Sequence, residues 1–144
     1  MIAIYQKTTS ADTHVLHKKY AGDAGMDITS DETVLINAGS QKNIRTGLFV
    51  AIPNGYFGMI KSRSGLSIKH DVEAGNAGVI DSGYRGEIIV KLYNHGATEY
   101  QVHRGNRIAQ LLILPVIDVE VVTCENLPDS FDNRGENGFG STGK

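Results

Sequence analysis

The sequence predicts an all-β domain. Its apolar residues alternate over short stretches, turn signals separate those stretches, and only one segment has helical spacing. Ile2–Gln6 is the first predicted strand and Thr33–Ile36 the second, closed by Asn37-Ala38-Gly39. Ile44–Ile52 is the longest and ends at Pro53-Asn54-Gly55, after which Tyr56–Lys61 reads as a further strand. Leu66–His70 is the one candidate helical turn. Ile88–Tyr93 ends at Asn94-His95-Gly96, and Glu99–His103, Ile108–Leu114 and Val119–Thr123 complete the series. Several of these are rich in the β-branched and aromatic residues that suit a pleated, half-buried surface. Many short strands without a long helix indicate a sandwich or barrel. No internal repeat or linker divides the chain, and 144 residues suffice for one domain with a real core.

Composition narrows the function classes. Fourteen Lys and Arg stand against 16 Asp and Glu, so a broad basic face for duplex nucleic acid is not expected, although a local cationic pocket is compatible. One cysteine excludes an intrachain disulfide framework and a cysteine-based zinc site. Cys124 falls in an apolar strand pattern and reads as packing. The five histidines form no metal-ligand constellation beyond a weak His14/His17 pair and read as surface residues. No apolar run reaches a membrane span and no signal peptide is visible, so a soluble cytoplasmic chain is expected (host cytoplasm if the source is viral). The chain divides into a core over 1–128 and a glycine-rich, aperiodic arm over 129–144.

Three clusters carry candidate chemistry. In the arm, Gly138–Lys144 fits G-x-G-x-x-G and most of a Walker-type loop, but no helix follows and the Ser/Thr after the lysine is missing. Its backbone N–H groups, two hydroxyls and Arg134 could still surround an anion. Lys61–Ser67 places an arginine and hydroxyls at a short helix start, either a polar turn or a phosphate contact. Gly75–Glu87, with four glycines, fits a tight hairpin open to a planar ligand. Within it Asp81 is either a turn residue or a proton acceptor for water, and Tyr84 either packing or a ligand contact.

The order of these clusters carries a resemblance. Ala21–Ile28, Arg63–Leu66, Gly78–Glu87, Gly105–Leu112 and Arg134–Gly143 resemble the five ordered motifs of the homotrimeric dUTPase family, deoxyuridine triphosphate nucleotidohydrolases. The match runs from about Tyr20 to the C-terminus. The resemblance implies a jelly-roll-like fold (a distorted β-barrel), a homotrimer with active sites between subunits, and a C-terminal arm that closes over them. It also implies hydrolysis of dUTP to dUMP and pyrophosphate with Mg²⁺, which keeps uracil out of DNA and supplies dUMP for thymidylate synthesis.

Roles carry over by position. Asp81 matches the carboxylate that activates water for in-line attack on the α-phosphorus. Tyr84 matches the tyrosine on the deoxyribose, which leaves no room for a 2′-hydroxyl. Asn76 and Gly78 belong to the segment that reads the uracil edge; cytosine would leave buried groups unpaired, and a wall would refuse the methyl of thymine. Arg63, Ser64 and Gly65 match the motif on the α and β phosphates, with Gln110 near the α-phosphate. Arg134, Gly140, Ser141 and Thr142 match the grip on the γ end, and Phe139 the aromatic that stacks on uracil. Asp27 resembles the acid that supports the metal through water.

Two departures are visible: Ser62 stands where many relatives carry proline or alanine, expected to alter the turn and not the motif's contacts, and Gly75 stands where some place an asparagine. The sister dCTP deaminase family would need its glutamate at Lys91 and its tryptophan at Tyr84, and a lysine cannot serve as that base. A nucleotide-gated regulator is the third reading, but no large insertion offers it a partner surface. The dUTPase reading expects a small-molecule substrate, with no stable nucleic-acid or membrane partner.

Overall fold

The computed structural model describes residues 2–9, 15–75, 78–132 and 135. Among these residues ten strands and one helix follow in order: β1 (Tyr5–Thr8), β2 (Met26–Thr29), β3 (Val34–Ile36), β4 (Gln41–Ala51), β5 (Tyr56–Lys61), α1 (Ser64–His70), β6 (Val72–Ala74), β7 (Val79–Ile80), β8 (Glu87–Asn94), β9 (Tyr100–Val102) and β10 (Arg107–Pro115). Two four-stranded sheets, ordered β1-β4-β8-β6 and β2-β10-β5-β7, are accompanied by the pair β3-β9, all antiparallel. The core between them is nearly all aliphatic: Ile28, Ile44, Val50, Ile60, Val72, Ile88, Leu92, Ile108 and Leu111 are among its buried members.

The elements follow the sequence pattern. In β8, Ile88, Val90 and Leu92 point inward while Ile89 is exposed and Glu87, Lys91 and Tyr93 are half-buried, as the two-residue period of a strand requires. Asn94, fully buried at its end, donates to the carbonyls of Ile36 (3.0 Å) and Thr98 (2.8 Å) and accepts from the Gly96 N–H (3.0 Å). A buried amide needs such partners, and these tie β8 to the end of β3. The helix is preceded by Arg63 in extended backbone and stops at Asp71, which adopts the left-handed conformation (φ 52°).

Three expectations are corrected. Residues 119–123 form no strand; Val119, Val121 and Val122 are exposed, and among the described residues no strand pairs with them. Cys124 is likewise exposed rather than packed. The segment 75–87 is not a hairpin, since β6 pairs with β8 in one sheet and β7 with β5 in the other. Among the described residues, no helix is long and apolar enough to cross a membrane.

Candidate active site

Strand pairing builds the first half of the site. β10 runs between β2 and β5, so Gln110 stands opposite Asp27 on one side and Lys61 on the other. The residues just after Lys61 therefore arrive beside Asp27. Arg63 spends its carbonyl on the N–H groups of Leu66 (3.0 Å) and Ser67 (3.1 Å), which starts the helix. Its side chain makes no cap, and its Nε donates to Asp27 Oδ1 at 2.8 Å. Arg107, first residue of β10, places Nη1 3.2 Å from the other oxygen, Oδ2. One half-buried carboxylate thus holds two guanidiniums, and Arg63 Nη1 also donates to the Arg107 carbonyl (3.3 Å). Gln110 Nε2 is fixed by the carbonyl of Ser62 (2.9 Å). The cleft, about 380 Å³, is lined by these groups with Ser64, Gly65, Asp23, Lys19 and His17. Fixed guanidiniums and an amide donor in one concave space are what a phosphorylated ligand requires.

The second half lies elsewhere on the chain. Tyr84 N–H donates to the Asp81 carbonyl (3.0 Å) and closes a turn after β7. The Tyr84 hydroxyl donates to the Glu87 carbonyl (2.9 Å), which sets the ring over the start of β8. A Cβ on Gly86 would strike that ring, with Cε2 3.0 Å away, so the ring's position requires glycine there. Asp81 is exposed, and no described residue offers its carboxylate a hydrogen bond or ion pair. With Tyr84, Asn43, Ile89 and Lys91 it lines a second cleft of about 410 Å³. The two clefts share no lining residue.

Of the sequence-derived site residues, Asp27, Arg63, Ser64, Gly65 and Gln110 line the first cleft, and Asp81 and Tyr84 the second. Gly78 is buried against β5, where its carbonyl accepts the Ile60 N–H (2.7 Å). A Cβ there would lie 2.9 Å from the Ile60 carbonyl oxygen, so the backbones meet only because it is glycine. Asn76, Arg134, Phe139, Gly140, Ser141 and Thr142 lie outside the described residues. Arg107 received no role from the sequence, although it sits in the same motif as Gln110; its distance from Asp27 along the chain hid the contact. The Ser62 hydroxyl bonds to the backbone of Ala74. His17, His70, His95 and His103 are exposed, as the sequence suggested.

Among the described residues, no three His, Cys, Asp or Glu side chains form a metal-binding group. Asp27 and Asp23 line one cleft with the arginines, a donor set that suits Mg²⁺ held largely by water and phosphate oxygens, not by a protein cage. One titration is displaced nearby: burial raises the phenol of Tyr100 above its ordinary value of 10.0, and the Arg63 charge opposes that rise.

Residues 11–143 match the family model described as dUTPase. A deoxyuridine 5'-triphosphate nucleotidohydrolase from Crocosphaera subtropica is 45% identical over 126 residues, covering 87% of each chain. Among solved structures, a mutant dUTPase of Staphylococcus bacteriophage 80alpha with dUpNHpp is similar at a TM-score of 0.90 and 30% identity, over 99% of both chains. A mutant dUTPase from phage phi11 of S. aureus, described with a structural Mg(II) ion, reaches 0.81 at 27% identity, over 87% of this chain and 98% of the other.

Proposed function

The chain belongs to the dUTPase family, and from that premise we propose that it hydrolyses dUTP to dUMP and pyrophosphate with Asp81 as the base. A water attacks the α-phosphorus in line; its oxygen forms the new P–O bond, the bond to the bridging oxygen of the β-phosphate breaks, and pyrophosphate leaves. The water's proton passes to a carboxylate oxygen of Asp81. The observation that carries this assignment is the difference in commitment between two aspartates. Both oxygens of Asp27 are engaged by arginines, whereas the Asp81 carboxylate has no partner among the described residues and can accept a proton.

The other residues bind and orient. Arg63, Ser64, Gly65 and Gln110 hold the α and β phosphates in the first cleft, with Arg107 adding charge. Tyr84 packs on the deoxyribose and excludes a 2′-hydroxyl. Gly78 and Asn76 read the uracil edge. Residues 129–144 act as an arm that brings Arg134, Gly140, Ser141 and Thr142 to the γ end and stacks Phe139 on the base. Mg²⁺, when bound, neutralises charge on the triphosphate, and Asp27, with Asp23 beside it, would hold it through water.

The working unit in this reading is a homotrimer, each active site joining the first cleft of one copy to the second cleft of another. Two clefts without a common lining residue support it, as does the exposed apolar run Val116, Ile117, Val119, Val121 and Val122, which is free to lie against a second copy.

The test offers dUTP, dCTP, dTTP and UTP with Mg²⁺ and measures pyrophosphate and ammonia. Pyrophosphate from dUTP alone is the expected result. Ammonia from dCTP, or no turnover of dUTP, overturns the proposal.

A further inference from the structure

Ser62 joins a member of the first cleft to the end of β6. Its carbonyl accepts from Gln110 Nε2 (2.9 Å), a member of the first cleft. Its hydroxyl accepts the Ala74 N–H (2.9 Å) and donates to the Ala74 carbonyl (3.4 Å). A hydroxyl is the smallest side-chain group that can do both. Ala74 ends β6, the edge strand of its sheet, and both its peptide groups find this one partner across the gap to β5. Immediately beyond, the Gly75 N–H is held by the Lys91 carbonyl (2.7 Å), and Gly78 by Ile60 (2.7 Å). β6 belongs to one sheet and β7, which leads to Asp81, to the other. The hydroxyl therefore fixes the end of β6 relative to the strand end that delivers Arg63.

We propose that Ser62 is a positioning residue that sets Gly78 and β7, ahead of Asp81, against the phosphate cleft. The inference rests on the dUTPase reading above. In a trimer whose sites join clefts of different copies, the same hydroxyl ties the phosphate side of one active site to the base side of the next. Backbone and side chain are separable here. Replacing the side chain leaves the carbonyl on Gln110 and removes only the hold on Ala74.

The experiment measures inhibition of dUTP hydrolysis, with Mg²⁺, by dUMP and by pyrophosphate in wild type, Ser62→Ala and Ser62→Thr. Ser62→Ala should weaken dUMP about tenfold, the order expected for losing one or two hydrogen bonds to a half-buried peptide. Pyrophosphate inhibition should stay within about twofold, since phosphate contacts are untouched and such changes are near the limit of additivity. Ser62→Thr should restore dUMP inhibition. Ser62→Ala with both constants unchanged, or both weakened equally alongside a lower Tm, overturns the proposal. If Ser62→Ala does not fold, the near-isosteric Ser62→Cys, a weak hydrogen-bonding group, replaces it under the same criteria. A wild type that does not turn over dUTP removes the parent reading and this inference together. A dUTP-active wild type with an indifferent Ser62 variant removes only the role of Ser62.

Discussion

Asp27 and Asp81 are the same residue in two different circumstances. Asp27 stands on a strand, half-buried, with Arg63 on one oxygen at 2.8 Å and Arg107 on the other at 3.2 Å. Asp81 stands in a turn, exposed, with its backbone carbonyl bonded and its carboxylate without a described partner. The first cleft is preorganised within one chain: it holds its guanidiniums before any phosphate arrives, so less ordering is left for binding. The second cleft keeps its chemistry unspent. A carboxylate wrapped in guanidiniums organises charge, whereas an unwrapped one can take a proton from water.

Asp81→Asn gives the largest expected effect. It removes the base and keeps the shape, so kcat for dUTP should fall about 10²–10⁴-fold with KM little changed. Retention of more than a tenth of wild-type kcat would break the comparison at its strongest point. Deleting residues 134–144 should come next, with a sharp loss of activity and an assembly state unchanged from wild type by analytical ultracentrifugation; a truncated protein at full activity removes the arm from the mechanism. Asp27→Asn should act on the other side of the comparison. Loss of the shared counter-charge loosens Arg63 and Arg107, so KM should rise about tenfold while kcat changes less, the signature of a group that binds substrate and transition state alike. An equal loss of kcat in both aspartate variants would show that the two clefts do not divide the labour this way.

Much of this division was legible beforehand, and the parts that were not share a cause. Tyr56–Lys61 has in the fold the bounds its sequence predicts, because a buried alternating run between two turns leaves little choice. β4 begins three residues before the reading of Ile44, since Gln41, Lys42 and Asn43 are exposed and carry no apolar signal. Residues 119–123 misled for the opposite reason: alternation promises a covered face, and here all five residues are exposed. The motif order pointed to Arg63, Gln110, Asp81 and Tyr84, but not to Arg107, whose partner lies 80 positions away in the chain, nor to the Ser62 hydroxyl, whose partner lies on another strand. Periodicity encodes which face is buried, whereas a side chain's hydrogen-bond partner depends on register between strands far apart in the chain.

The smallest expected effect separates the clefts by pH. Tyr100, in β9, lies with its ring 5.2 Å from that of His70 on the helix after Arg63. Burial raises its pKa above 10.0, and Arg63 pulls it partly back. The folded chain therefore holds this proton more tightly than the unfolded one, whose tyrosines titrate near about 10. The stability this supplies is complete below that pH and is lost as pH rises through the raised folded value. Tyr100→Phe should flatten that alkaline decline in urea titrations and leave neutral stability nearly unchanged. Arg63→Gln removes the opposing charge, so the phenolate absorbance of Tyr100 should appear at still higher pH, and Asp81→Asn should leave it where it is. A shift with Asp81→Asn as large as that with Arg63→Gln would mean that the two clefts are electrostatically one, and the separation argued from their linings would fail.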